Sequence, residues 1–126
     1  MKNKEQLIAE ARAYFLGRDG YEKSNCAQAV ANTFVKELHL DGIDLGAFRN
    51  YGGGRAPNGE CGALYAAKTV MEKTGRQDKV GELEAYFGAQ AGSLTCREIR
   101  ASGKLSCAGC VETAAAYLCD RIENEK

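Results

Sequence analysis

Four of the six cysteines stand at places where helices begin. Cys26 follows Ser24-Asn25, Cys96 follows Thr95, Cys107 follows Ser106, and Cys61 comes at the end of the glycine-rich run GGGRAPNGE. Ser, Thr and Asn are N-cap residues, so each of these thiols is expected in the first turn of a helix. There the backbone N–H groups lack partners and the helix dipole is positive. Such surroundings favour thiolate over thiol, and thiolate is the form that ligates soft metals and attacks electrophiles. We therefore expect Cys26, Cys61, Cys96 and Cys107 to converge on one site. That site could hold an iron–sulfur cluster or another thiophilic metal such as zinc, with electron transfer as its use.

Cys107 and Cys110 form a C-x-x-C pair. On a helix the two lie on one face, close enough to share a metal or close a disulfide. This supports a second chemistry: a metal-free dithiol oxidoreductase using Cys107 and Cys110, or Cys61 with a neighbour. A third reading is a non-catalytic module whose cysteines bind zinc or pack. Val111 follows Cys110, so the C-x-x-C-H attachment of c-type haem is absent. Cys119 falls in mid-helix and is expected in the core, apart from the others. The single histidine, His39, is expected at a helix end, where a cation meets the negative end of the dipole.

The glycines Gly52, Gly53 and Gly54, with Gly62 beyond them, lack the G-K-[ST] ending of a phosphate-binding loop. Their expected use is close backbone approach to whatever Cys61 holds. Arg55 in the same loop is expected to be solvated.

The elements that must carry these residues are helices. Apolar residues recur at helical spacing over 3–16 (Leu7, Ile8, Ala11, Tyr14, Phe15) and from Ser24 or Asn25 onward (Val30, Phe34, Leu38). The same spacing continues from 58 or 59 to 74 (Ala63, Leu64, Ala67, Val70, Met71) and over 78–91 behind Asp78 as cap (Val80, Leu83, Tyr86, Phe87). Thr95 and Glu98 have the spacing of a capping box. Ser106 opens a last helix carrying Val111, Ala114, Ala115, Leu118 and Ile122. One proline, Pro57, and no alternating apolar pattern predict an all-α fold: one domain over residues 1–126, an antiparallel helical bundle of about five helices with a Gly-rich loop.

Composition narrows the partners. Lys+Arg and Asp+Glu both total 17, a formal net charge of zero, which argues against nucleic acid as the main partner. The N-terminal stretch has no apolar core of a secretory signal, and no apolar run is long enough for membrane insertion. The expected setting is cytoplasmic, where thiols are kept reduced and six cysteines read as ligands or catalysts rather than staples. The sequence identifies no redox partner and leaves a homo-oligomer open.

The segment YGGGRAPNGECGALYAA, Tyr51 to Ala67, resembles the aromatic, Gly-rich, C-G-A-x-x-G segment of the C_GCAxxG_C_C family. SNCAQAV around Cys26, GSLTCREI around Cys96 and CAGCVETAA from Cys107 are similar to the family's other cysteine segments, in the same order. The resemblance implies a helical protein with cysteine-based redox or metal chemistry. By its spacing Cys107 is the family cysteine and Cys110 is additional. One departure stands at Ala66, where the family motif has Gly.

Overall fold

Two asparagine caps start the first two helices. The Asn3 side chain accepts from the Gln6 backbone N–H at 2.8 Å, and the Gln6 side chain accepts from the Asn3 N–H at 2.9 Å. Asn25 and Gln28 repeat the arrangement at 2.8 and 3.0 Å. These are reciprocal capping boxes, and helices α1 (Lys4–Leu16) and α2 (Cys26–Leu38) follow them. Gly17 ends α1 and His39 ends α2, both in the left-handed conformation. His39 thus acts through its backbone N–H, which bonds to the Val35 carbonyl, with its ring exposed.

The computed structural model describes residues 2–124. Beyond α2, the chain makes a 3-10 turn over Leu45–Tyr51 and a short one over Pro57–Gly59 before α3 (Gly62–Lys73). α4 (Val80–Ala91), α5 (Cys96–Ser102) and α6 (Cys107–Asn124) complete the chain. The all-α expectation holds: among the described residues no strand forms, and the extended pairing is an isolated bridge between Glu60 and Thr95. Among the described residues six α-helices stand where about five were expected.

Three local expectations differ. α3 starts at Gly62, so Cys61 is its N-cap and not a first-turn residue. Asn58 at φ 63° and Gly59 at φ 71° keep the backbone before it out of helical geometry. Asp78 does not cap α4; it lies inside a 3-10 turn, Gln77–Lys79, and α4 begins without a side-chain cap. At α5 the capping box is half formed. Thr95 Oγ1 accepts from the Glu98 N–H at 3.4 Å, but the Glu98 carboxylate accepts from the Thr95 hydroxyl, and the Thr95 N–H goes to Ser93 Oγ.

One core cluster joins the helices. Val30 and Phe34 of α2 meet Leu64, Val70 and Met71 of α3, Leu83 and Phe87 of α4, and Val111, Ala114 and Leu118 of α6, all essentially fully buried. Cys119 belongs to this core at 3% exposure, as its mid-helix place predicts. α1 packs against α2 and α6. Small residues let the helices approach: Ala27, Ala29, Ala63, Ala66 and Ala67 show no exposure. Ala66, where the family motif has Gly, is thus accommodated in full burial. Among the described residues no helix is long and apolar enough to cross a membrane.

Candidate functional site

The starts of α2, α3, α5 and α6 are pinned together by the segments between them. Asn25 not only caps α2; its Nδ2 donates to the carbonyls of Phe48 and Arg49, at 3.2 and 3.0 Å. That bond pair holds the Leu45–Tyr51 turn against the start of α2, next to Cys26. Arg55 is exposed, as expected of a loop residue, yet its Nε donates to the Gly52 carbonyl at 3.0 Å and its guanidinium to that of Arg49 at 3.4 Å. It therefore closes the Gly-rich loop on itself. The loop's far end is tied to the α4–α5 connection by the Cys61 N–H, which donates to the Leu94 carbonyl at 2.8 Å. Lys68 adds a brace between Glu60 and Glu84, at 3.0 and 3.1 Å. Ser106 Oγ accepts from the Gly109 N–H at 3.0 Å and caps α6 as predicted.

These ties bring five cysteines to one cavity of about 300 Å³: Cys26, Cys61, Cys96, Cys107 and Cys110. Gly53, Ile99, Arg100, Leu105 and Ser106 complete its wall. Cys61 and Cys110 are 5% and 2% exposed, whereas Cys26, Cys96 and Cys107 are half-buried. All are free thiols, and Cys119 does not reach the cavity.

The glycines have distinct roles. Gly53, at φ 63°, lines the cavity. Gly54 lies over Cys96: a Cβ there would stand 3.4 Å from the Cys96 Cβ. Gly52 and Gly62 serve packing. A Cβ on Gly52 would meet the Asn25 side chain at 2.7 Å. One on Gly62 would meet the Tyr51 carbonyl oxygen at 2.6 Å, Cys26 Sγ at 2.8 Å and the Ala27 Cβ at 3.1 Å. Gly62→Ala should therefore destabilise the fold by about 1–3 kcal/mol, the usual range for overpacking. Urea denaturation of the reduced protein measures it, and an unchanged midpoint would refute the close contact.

The model of the family described as "Putative redox-active protein (C_GCAxxG_C_C)" matches residues 24–121. The chain belongs to the C_GCAxxG_C_C family. Nothing among curated proteins and nothing among solved structures matches it. The match begins just before Cys26 and ends within α6, so the C_GCAxxG_C_C segment contains every element that lines the cavity.

The electrostatics of this C_GCAxxG_C_C site differ from what helix starts alone predict. Cys61 was expected to ionise readily. Instead its pKa is pushed up to about 12, first because its thiol faces the Cys110 sulfur, with burial adding to the rise. Cys26 against it is also tipped towards the thiol, by its contact with Cys61 and then by burial. Burial likewise raises Cys96, against the pull of Arg100. The group held below its ordinary value is Cys110, because the Cys61 S–H points at it. The reason is dominance of neighbours over dipoles. In a shared low-dielectric space one thiolate opposes the next, and each protonated thiol stabilises the sulfur it faces. The result is an ordered string, Cys26 to Cys61 to Cys110, in which Cys110 is the sulfur tipped towards thiolate. Arg100 on α5 contributes positive charge at the mouth. Its own pKa is raised, first by Cys96 and then by a hydrogen bond to Cys107.

Thiolates suit iron–sulfur clusters and zinc by donor chemistry. The arrangement is less suited: among the described residues no three His, Cys, Asp or Glu side chains are grouped to hold a metal ion. Sequence reasoning missed Arg100, which carried no motif. Cys110, paired with Cys107 by its C-x-x-C spacing, joins the four cysteines expected to converge.

Proposed function

We propose that this redox-active chain works by thiol–disulfide exchange, with Cys107 and Cys110 as the pair that opens and closes. The observation that carries the reading is the division of labour between them. Cys107 is half-buried at the cavity mouth beside Arg100. Cys110 is buried behind it and held towards thiolate by Cys61. In the oxidising direction Cys107 attacks a substrate disulfide as thiolate, forming a mixed disulfide and releasing the first substrate thiolate. Cys110 then attacks the Cys107 sulfur and releases the second. Two protein thiols become one disulfide, two electrons pass to the substrate, and the protons of the two thiols end on the two released thiolates. Either released group leaves more readily as its own pKa falls. The reading places the chain in a thiol-reducing compartment such as the cytoplasm, where the dithiol form is the resting state.

Treating the reduced protein with glutathione disulfide tests this. The expected product is a Cys107–Cys110 link, or a disulfide derived from it, with loss of at least two free thiols. Retention of all six thiols would end the reading. A different result would replace it: stoichiometric iron and acid-labile sulfide after anaerobic purification. That second reading is electron transfer through a cluster held by Cys26, Cys61, Cys96 and Cys107, and it draws on donor chemistry and a shared cavity.

A further inference from the structure

The exchange at the cavity mouth leaves three thiols of the same cavity unused, Cys26, Cys61 and Cys96, and the first two adjoin each other. Cys61 is buried and Cys26 half-buried. Cys61 faces Cys110 on one side, and Cys26 faces Cys61 on the other. Gly62, immediately after Cys61, is what admits Cys26 so near: any side chain there would collide with Cys26 Sγ. The sulfurs therefore run in a row from Cys107 and Cys110, the outer pair, through Cys61 to Cys26, the inner pair only in the sense of lying farther along it.

We infer that Cys26 and Cys61 form an inner dithiol that takes over the disulfide from Cys107–Cys110 by internal exchange. The inference rests on the reading of Cys107 and Cys110 as the working pair. Two steps complete the transfer. Cys61 as thiolate attacks the Cys110 sulfur of the outer disulfide, making a Cys61–Cys110 bond and releasing Cys107, which takes up the proton that Cys61 lost. Cys26 then attacks the Cys61 sulfur, making a Cys26–Cys61 bond and releasing Cys110 as thiolate, and the Cys26 proton passes to solvent. One disulfide breaks and one forms, so no external oxidant is needed. A second substrate disulfide can then reoxidise the outer pair, for four electrons per chain.

The direction has a physical basis. Burial opposes ionisation of Cys26 and Cys61, and a disulfide there removes two thiols that have little thiolate stability to lose. A pair with less thiolate stability in its reduced form has the less oxidising disulfide. The disulfide is thus favoured between Cys26 and Cys61.

The test uses the full-length reduced chain and glutathione disulfide near neutral pH. Samples are quenched in acid, alkylated, digested without reduction and mapped by mass spectrometry. With one equivalent, Cys26–Cys61 should be the dominant link; with excess, four of the six thiols should be lost. In Cys26→Ser the outer link should accumulate and the loss should stop at two thiols. In Cys110→Ser, with helicity checked by circular dichroism, the inner link should form at least about tenfold more slowly. An outer link with no inner one, even at excess, would overturn the relay and leave the exchange reading standing. An inner link formed at the wild-type rate in Cys110→Ser would also overturn it. Loss of no thiol at all would remove both.

Discussion

Serine at position 110 should trap the protein as a covalent adduct with its disulfide substrate. Cys107 can still attack at the cavity mouth, but the sulfur that would displace the substrate from it is gone. Resolution must then come from thiols in solution, and well-oriented intramolecular groups outcompete those by effective molarities of about 10⁵ M or more. Turnover of a disulfide substrate should fall on the order of a hundredfold or more, and intact-mass analysis should show one adduct on Cys107. Turnover within about a factor of two of wild type would refute the assignment of Cys110. A related substitution separates chemistry from packing. Cys110 owes its lowered pKa first to the Cys61 S–H. Cys61→Ala should accordingly move the pH midpoint of resolution upward while the plateau at high pH is retained. A merely structural role for Cys61 would lower the plateau and leave the midpoint in place.

The reduced protein should lose stability steeply on the alkaline side. Cys61 has its pKa raised from 9.0 to about 12 on folding, and Cys26 and Cys96 move the same way. A thiol with a raised pKa keeps its proton in the folded state after the unfolded chain has released it. Its contribution is fully present below the unfolded value and is lost as pH climbs towards the folded one. Cys110 has the opposite sign, since its depressed pKa adds stability above the unfolded value and loses it as pH falls. Three raised groups against one lowered leave a net alkaline loss. Each uncompensated group costs about 1.4 kcal/mol per pH unit. Between about pH 8 and about pH 10.5, the melting temperature under reducing conditions should drop on the order of 5–10 °C. Burial raises Tyr14 and Tyr65 with the same sign, so the decisive comparison is with Cys61→Ala, whose pH slope should be shallower. A flat melting profile would show that the buried thiols ionise freely.

Much of this protein was written locally in its chain. Asn3, Asn25 and Ser106 announce their helices through side chains that bond backbone three residues on, an interaction that needs no tertiary partner. The apolar faces of α2, α3 and α6 follow from a 3.6-residue period. Cys119 is in the core because its place in α6 puts it there. Asp78 shows the limit of local signals: a 3-10 turn occupies the place where it would have capped α4. The four cysteine segments were recognisable as those of the family, and their meeting at one cavity follows the places of their helix starts.

What each sulfur does was decided only by the fold. Helix starts predict lowered pKa values at Cys61 and Cys107, because the dipole is a property of the helix alone. Folding places Cys61 between Cys26 and Cys110, where facing sulfurs and burial outweigh the dipole, so Cys61 is pushed towards the thiol and Cys110 towards the thiolate. Arg100 enters the site from α5 with no motif to mark it, and Gly62 admits Cys26 with no sign in its own segment that Cys26 would be there. Capping and periodicity act between residues near in sequence. Charge, proton and contact at this site are set between residues that meet only when α2, α3, α5 and α6 pack.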